Sequence, residues 1–221
     1  MEELSPEDLK AIESQLGCPN GSKGIEMASL MHETNFGMTK CAIDALALKS
    51  NDQVLELGHG NCAHLPYLLG KAEALVYTGL EISETMSSEA QQKNQSHVEA
   101  KKATFSLYNG TDIPFEGNTF HKVFTVNTLY FWTEPAKLLN EIHRVMKATG
   151  ILTIVFAKKS FMKNLPFVGD KFTLYSPEDL SQLVATSAFN SVDITEHTEQ
   201  VKSKSGELVE RQFCLAKLIK T

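Results

Sequence analysis

Val54-Leu55-Glu56-Leu57-Gly58-His59-Gly60-Asn61 decides how this chain is read. A short apolar strand, Val54-Leu55-Glu56-Leu57, runs into two glycines separated by one residue. Glycine at such a turn reaches backbone conformations closed to other residues and lets a ligand approach the main chain closely. The helix expected next, over about 62–71, presents its unpaired N–H donors to the same place. Two ligand classes compete for a loop of this kind. Gly58-His59-Gly60-Asn61-Cys62-Ala63 satisfies the dinucleotide pattern G-x-G-x-x-[GA], and Glu81 follows at about the distance of an acid that holds ribose hydroxyls. Glu56 separates the two. A dinucleotide brings a doubly negative pyrophosphate, which a carboxylate at the strand end repels. A ligand with a sulfonium and an ammonium group and no phosphate is attracted instead.

Outward from the loop, strands and helices alternate. Strands are expected at Leu75–Leu80, around Thr104–Leu107, at Lys122–Val126, at Ile151–Phe156, and near 190–196 and 209–219. Between them, Ser83 caps a polar helix to about 96, residues 134–147 are helical, and Ser176-Pro177-Glu178-Asp179 opens another helix. Upstream, Ser5-Pro6 starts a helix over 5–16, and residues 24–49 carry apolar positions at helical spacing. Alternation of this kind predicts a doubly wound, mostly parallel α/β sheet. The chain divides into an N-terminal helical extension or lid, residues 1–40, and a ligand-binding domain, residues 41–221.

The bulk numbers narrow the partners. A chain of 221 residues with 42% hydrophobic and 22% charged content buries one large core. A net charge of −6 argues against nucleic acid and anionic lipid as partners. No run approaches the ~18 apolar residues of a membrane span, so no membrane insertion is expected. The acidic stretch Met1 to Gln15 has no secretory h-region. Cys18, Cys41, Cys62 and Cys214 lack CxxC spacing, and the seven histidines show neither H-x-x-x-H nor His/Cys clustering. The expectations are reduced thiols, a cytoplasmic location and no metal.

The segment from Val54 to Asn61 resembles the first motif of class I S-adenosylmethionine-dependent methyltransferases, E/D-x-G-x-G-x-G, with Cys62 in place of the third glycine. Thr78-Gly79-Leu80-Glu81-Ile82-Ser83 is similar to the family's second-strand segment, whose acid binds both ribose hydroxyls. Asn109-Gly110-Thr111-Asp112-Ile113-Pro114-Phe115 with Asn118-Thr119-Phe120-His121 resembles D-A-x-x-L-P-F…S-F-D; Asn109 stands where the family's aspartate accepts from the adenine amino group. Val126-Asn127-Thr128-Leu129-Tyr130-Phe131-Trp132 lies where the family passes the donor methionine. Glu141-Ile142-His143-Arg144-Val145-Met146-Lys147-Ala148-Thr149-Gly150 resembles E-x-x-R-V-L-K-P-G-G, and Tyr175-Ser176-Pro177-Glu178-Asp179-Leu180 through Ala188-Phe189 resembles S-P-E-E-L…G-F. The likeness covers about residues 40–219 and is of the small-molecule type, similar to the ubiquinone- and menaquinone-biosynthesis methyltransferase-like group.

The resemblance implies a Rossmann-like seven-stranded sheet with an antiparallel last strand, S-adenosylmethionine as cofactor, and methyl transfer to a small-molecule acceptor. It implies cofactor-binding residues Glu56, Gly58, His59, Gly60, Glu81, Ile82, Asn109, Gly110, Thr111, Asn127, Thr128 and Leu129. The displacement is in-line on an already activated donor, so alignment does most of the work, roughly 7–11 kcal/mol. His64, Tyr130 and Trp132 are the acceptor-side candidates, and no catalytic base is assigned. Met27, Met31, Asn35, Phe36 and Met38 in one stretch, and residues 160–172 in another, have the composition of lids. Two alternatives stand beside this reading: an NAD(P)-dependent oxidoreductase, and a non-catalytic S-adenosylmethionine-binding protein.

Overall fold

β1, Gln53–Leu57, forms because its apolar residues are flanked on both sides by strands that bury them: Val54, Leu55 and Leu57 are wholly inaccessible to solvent. A computed structural model describes residues 5–202 and 208–221 of the chain. The other strands are β2 Val76–Glu81, β3 Ala103–Leu107, β4 Phe120–Val126, β5 Met146–Ala157, β6 Asp193–Lys202 and β7 Leu208–Ile219. They form one seven-stranded sheet in the order β3-β2-β1-β4-β5-β7-β6. β1 pairs in parallel with β2 and β4, whereas β7 runs antiparallel to both β5 and β6. The expected Rossmann-like sheet with an antiparallel last strand is present. The strand order reverses between β1 and β4, and in open α/β sheets ligands bind outside the carboxyl ends at that reversal.

Eight helices accompany the sheet among the described residues: α1 Pro6–Gly17, α2 Gly21–Ala45, α3 Leu65–Leu69, α4 Glu84–Lys93, α5 Gln95–Glu99, α6 Pro135–Val145, α7 Lys159–Met162 and α8 Pro177–Ala185. α1 and α8 start with complete capping boxes, Ser5 with Asp8 and Ser176 with Asp179. Three elements differ from expectation. The helix expected over 62–71 shrinks to α3 because Gly60 and Cys62 hold left-handed φ values of 56° and 47°, prolonging the turn. The helix expected to run to 96 breaks at Asn94, whose side-chain amide donates to Cys62 O (3.1 Å) and Ala90 O (2.9 Å). The division at 40/41 falls inside α2, a single continuous helix. Met38, Ala42 and Ile43 at its C-terminal end are core, and Thr153 Oγ1 donates to Ala42 O at 3.1 Å.

The first half of α2 is tied over the carboxyl ends of the strands. Arg211 of β7 donates to Asn35 Oδ1 (2.6 Å) and Thr34 O (2.7 Å) and also pairs with Glu199. On the other side, Ser83 Oγ donates to Pro19 O, joining the α1–α2 turn to the end of β2. The helices therefore roof the switch point and leave a cleft beneath.

Candidate cofactor and acceptor cleft

The cleft is floored by the glycine loop. Gly58 has φ 71°, and a β-carbon there would collide with Thr128 Cγ2, so both conformation and space demand glycine. Gly60 has φ 56° with open space on its side-chain face, the side a ligand approaches. Glu81, at the end of β2, is clamped by main-chain donors: Oε2 accepts from Gly60 N–H (3.0 Å), and Oε1 from Ile82 N–H (2.8 Å) and Ser83 N–H (3.2 Å). A carboxylate has about four acceptor sites, so this orients Glu81 and leaves capacity for a ligand hydroxyl.

Glu56 is held differently. Its Oε2 accepts from Tyr77 OH (2.5 Å) and from His64 Nε2–H (2.8 Å), and Cys62 Sγ donates to Tyr77 OH at 3.2 Å. All four side chains are buried. Burial alone would pull the His64 pKa down, but the Glu56 carboxylate, helped by Cys62, holds it well above the usual imidazole value. Burial pushes the Cys62 thiol and the Tyr77 phenol up. The strand-end acid is thus half of a buried ion pair rather than a bare carboxylate. Donor atoms of Glu56, Cys62 and His64 lie within 4.8 Å of one another, a His/Cys cluster that spacing along the chain did not show. Metal ligation would require a thiolate and a neutral imidazole; in the metal-free protein burial pushes the thiol up and Glu56 holds the imidazole charged.

Of the residues expected at the cofactor, Glu56, Gly58, His59, Gly60, Glu81 and Ile82 meet at the cleft, as do Gly110, Asn127 and Thr128. Three others are placed elsewhere. Asn109 is exposed, and its amide oxygen already accepts from Thr111 N–H (2.9 Å) and Asp112 N–H (2.8 Å); it caps its own loop rather than offering an acceptor to adenine. Thr111 is buried away from the cleft, and Leu129 is core. On the acceptor side, His64 and Trp132 line the cleft, whereas Tyr130 points into the protein, donating to Asn127 Oδ1 (3.0 Å) and accepting from Ala157 N–H (2.5 Å). Phe131 takes the wall position instead. Trp132 Nε1–H donates to Thr128 Oγ1 at 3.1 Å, which fixes the indole plane.

The roof was only partly foreseen. Met31 and Asn35 line the cleft, but Met27, Phe36 and Met38 do not; Met38 is fully buried. Ala28, His32 and Thr39 do line it, and with Met31 and Asn35 they mark one face of α2 at helical spacing, the signal that identifies them. Leu16, Gly17, Pro19, Asn61, Tyr108 and Val126 complete the set that sequence reasoning missed. The 160–172 segment stays behind the wall: Phe172 packs against Phe131 with tilted rings (4.7 Å between centroids), and Lys171 N–H donates to Glu13 Oε1 at 2.7 Å.

Among the described residues, no lysine or arginine lines the cleft, whereas two carboxylates do. His59 adds a buried acceptor. Its Nδ1–H donates to Gly60 O at 2.7 Å, leaving Nε2 enclosed without a partner. Acceptors and two carboxylates, with one imidazolium that is already paired to Glu56, fit a ligand bearing hydroxyls and positive charge better than a pyrophosphate.

Residues 55–154 match a methyltransferase domain family. The Bacillus subtilis (strain 168) proteins YrhH and YdaC are 30% and 23% identical over 113 and 121 residues, 49% and 55% of this chain. The chain spans 59% and 65% of the length of these two relatives. A solved S-adenosylmethionine-dependent methyltransferase from Aquifex aeolicus superposes with a TM-score of 0.63 at 20% identity, covering 99% of this chain and 100% of that one. The middle of the chain is thus similar to methyltransferase domains, and its fold is the one seen in that solved methyltransferase. The Aquifex aeolicus protein depends on S-adenosylmethionine, and the donor set of the cleft described above fits that group.

Proposed function

We propose that this chain is a methyltransferase that carries a methyl group from S-adenosylmethionine to a small-molecule acceptor by in-line displacement. The observation that carries the reading is the charge of the cleft: two strand-end carboxylates and no lysine or arginine among the described lining residues. When bound, the cofactor supplies a methyl group already activated on sulfur. Glu81 would hold the ribose hydroxyls, with Ile82 and Gly110 beside the adenine. Phe131 and Trp132 on one side, and Leu16, Ala28 and Met31 on the other, make an apolar enclosure that excludes water and suits a compact acceptor. α1 and the first half of α2 act as the lid over that enclosure. Burial, followed by the nearby His64 charge, lowers the His32 pKa, so His32 faces the cleft as a neutral imidazole able to take a proton.

A cytoplasmic location accords with four unpaired cysteines and with the lack, among the described residues, of any helix long and apolar enough to cross a membrane. The test is a thermal-shift titration with S-adenosylhomocysteine and with NAD. Stabilisation by S-adenosylhomocysteine alone is expected; stabilisation by NAD alone would sink the reading.

A further inference from the structure

Resting on that reading, we propose that His64, clamped to Glu56, is the receptor for the carboxylate at the amino-acid end of the cofactor. That end of S-adenosylmethionine is a zwitterion, one ammonium beside one carboxylate. A cation is the complementary partner for the carboxylate, and among the described residues no lysine or arginine lines the cleft. Four main-chain N–H groups of the loop are already committed. Gly58 N–H donates to Leu80 O, Gly60 N–H to Glu81, Cys62 N–H to His59 O, and Ala63 N–H to Asn61 Oδ1.

Three histidines line the cleft, and their surroundings divide them. Burial holds the His59 pKa down despite Glu81 and Glu56, and its one protonated nitrogen serves Gly60 O. Burial and the charge of His64 hold His32 down. His64 alone has a carboxylate at 2.8 Å that keeps it cationic. The groups facing it are Glu56 from β1, Tyr77 from β2, His32 from α2, and Cys62 and His59 from the loop. Its ring is fixed by His32 stacked at 6.4 Å (25° between planes) and by the edge of Phe124 at 6.2 Å. Nε2 is spent on Glu56, so Nδ1 is the nitrogen a cleft ligand meets. An imidazolium and a carboxylate side by side match a carboxylate and an ammonium side by side, so each charge of the cofactor faces its opposite.

The sign of the pH dependence follows. When His64 loses its proton, Nε2 keeps its hydrogen for Glu56. Nδ1 then turns from a donor into a lone pair facing the ligand carboxylate, and affinity falls. The experiment is calorimetric titration of the full chain with S-adenosylhomocysteine and with 5′-methylthioadenosine, which lacks the amino-acid end, from pH ~6 upward. S-adenosylhomocysteine affinity is expected to fall toward tenfold per pH unit above the His64 pKa, while 5′-methylthioadenosine affinity stays flat. In His64→Gln the titration of the ligand's own amine persists, so the part of the slope that disappears belongs to His64. A wild-type affinity ratio of the two ligands that is constant or rises with pH would overturn the inference, independently of how the variant folds. So would a His64→Gln protein with the wild-type profile. Failure of both ligands to bind would overturn the proposed function, and this inference with it.

Discussion

The ends of β1 and β2 each present one buried carboxylate to the same cleft, and the two are held by opposite means. Glu81 is gripped by three main-chain N–H groups and has no side-chain counter-ion among its bonds. Glu56 is gripped by side chains, His64 and Tyr77, and shares its charge with an imidazolium. Main-chain donors orient an anion without neutralising it, so the β2 end keeps a negative group aimed at the ligand. The β1 end is an internal ion pair whose loss leaves buried partners unsatisfied. One end is built for binding, the other for holding the loop together and matching a zwitterion.

The largest effect expected from this contrast is on stability at β1. Glu56→Ala leaves a cationic imidazole and a phenol buried without their acceptor, which costs about 3–5 kcal/mol. Urea unfolding should show it as a lower midpoint at an unchanged slope. The folded fraction should still bind 5′-methylthioadenosine close to normally, because that ligand does not reach the pair. Glu81→Gln should invert the pattern. Removing a charged acceptor from ribose hydroxyls weakens binding of the same ligand about 100-fold, while the amide nitrogen set against one main-chain N–H donor costs about 1–3 kcal/mol of stability. If both variants lose stability and binding in equal proportion, the two ends are not the different devices described above.

A smaller effect separates the two loop histidines by pH. The folded pKa of His64 is raised, so its stabilisation is complete below the unfolded value near 6.5 and is lost as pH rises through the folded pKa. The folded pKa of His59 is lowered, chiefly by burial, so its contribution is complete above the unfolded value and is lost as pH falls. Each limb has a slope approaching about 1.4 kcal/mol per pH unit. Chemical unfolding from acid to mildly alkaline pH should lose the alkaline limb in His64→Gln and the acid limb in His59→Gln. Loss of the same limb in both variants would contradict the assignment.

How much of this the sequence disclosed follows from range. The strands were legible because their apolar runs are local, and so were Gly58, Gly60 and Glu81, whose roles depend on residues close by in the chain or on one adjacent strand. Asn109 was misread because an exposed amide satisfies its own loop first, a competition that motif position does not reveal. The Glu56–His64–Tyr77–Cys62 network joins residues as far as 21 positions apart across two strands and a turn, and no spacing rule announces it. His32 was hidden for another reason: its helix reads as amphipathic from the pattern, but which face meets the cleft is set by Arg211, 176 residues away from Asn35.

Cys62 carries the smallest and most diagnostic expectation. It occupies the position where the resemblance calls for a third glycine, and its φ of 47° explains why glycine is favoured there. The thiol compensates by donating to Tyr77 OH at 3.2 Å, bracing the phenol that holds Glu56. Cys62→Ala keeps the backbone strain and loses the bond, for a cost of about 1–2 kcal/mol. Cys62→Gly loses the same bond but relieves strain worth about 1 kcal/mol or more, offset by about 0.5–1 kcal/mol of added freedom in the unfolded chain. The glycine variant should therefore unfold at a urea concentration equal to or above that of the alanine variant, and below wild type. Should glycine exceed wild type, the thiol contributes nothing to the β1 network, and the contrast between the two strand ends loses its outermost support.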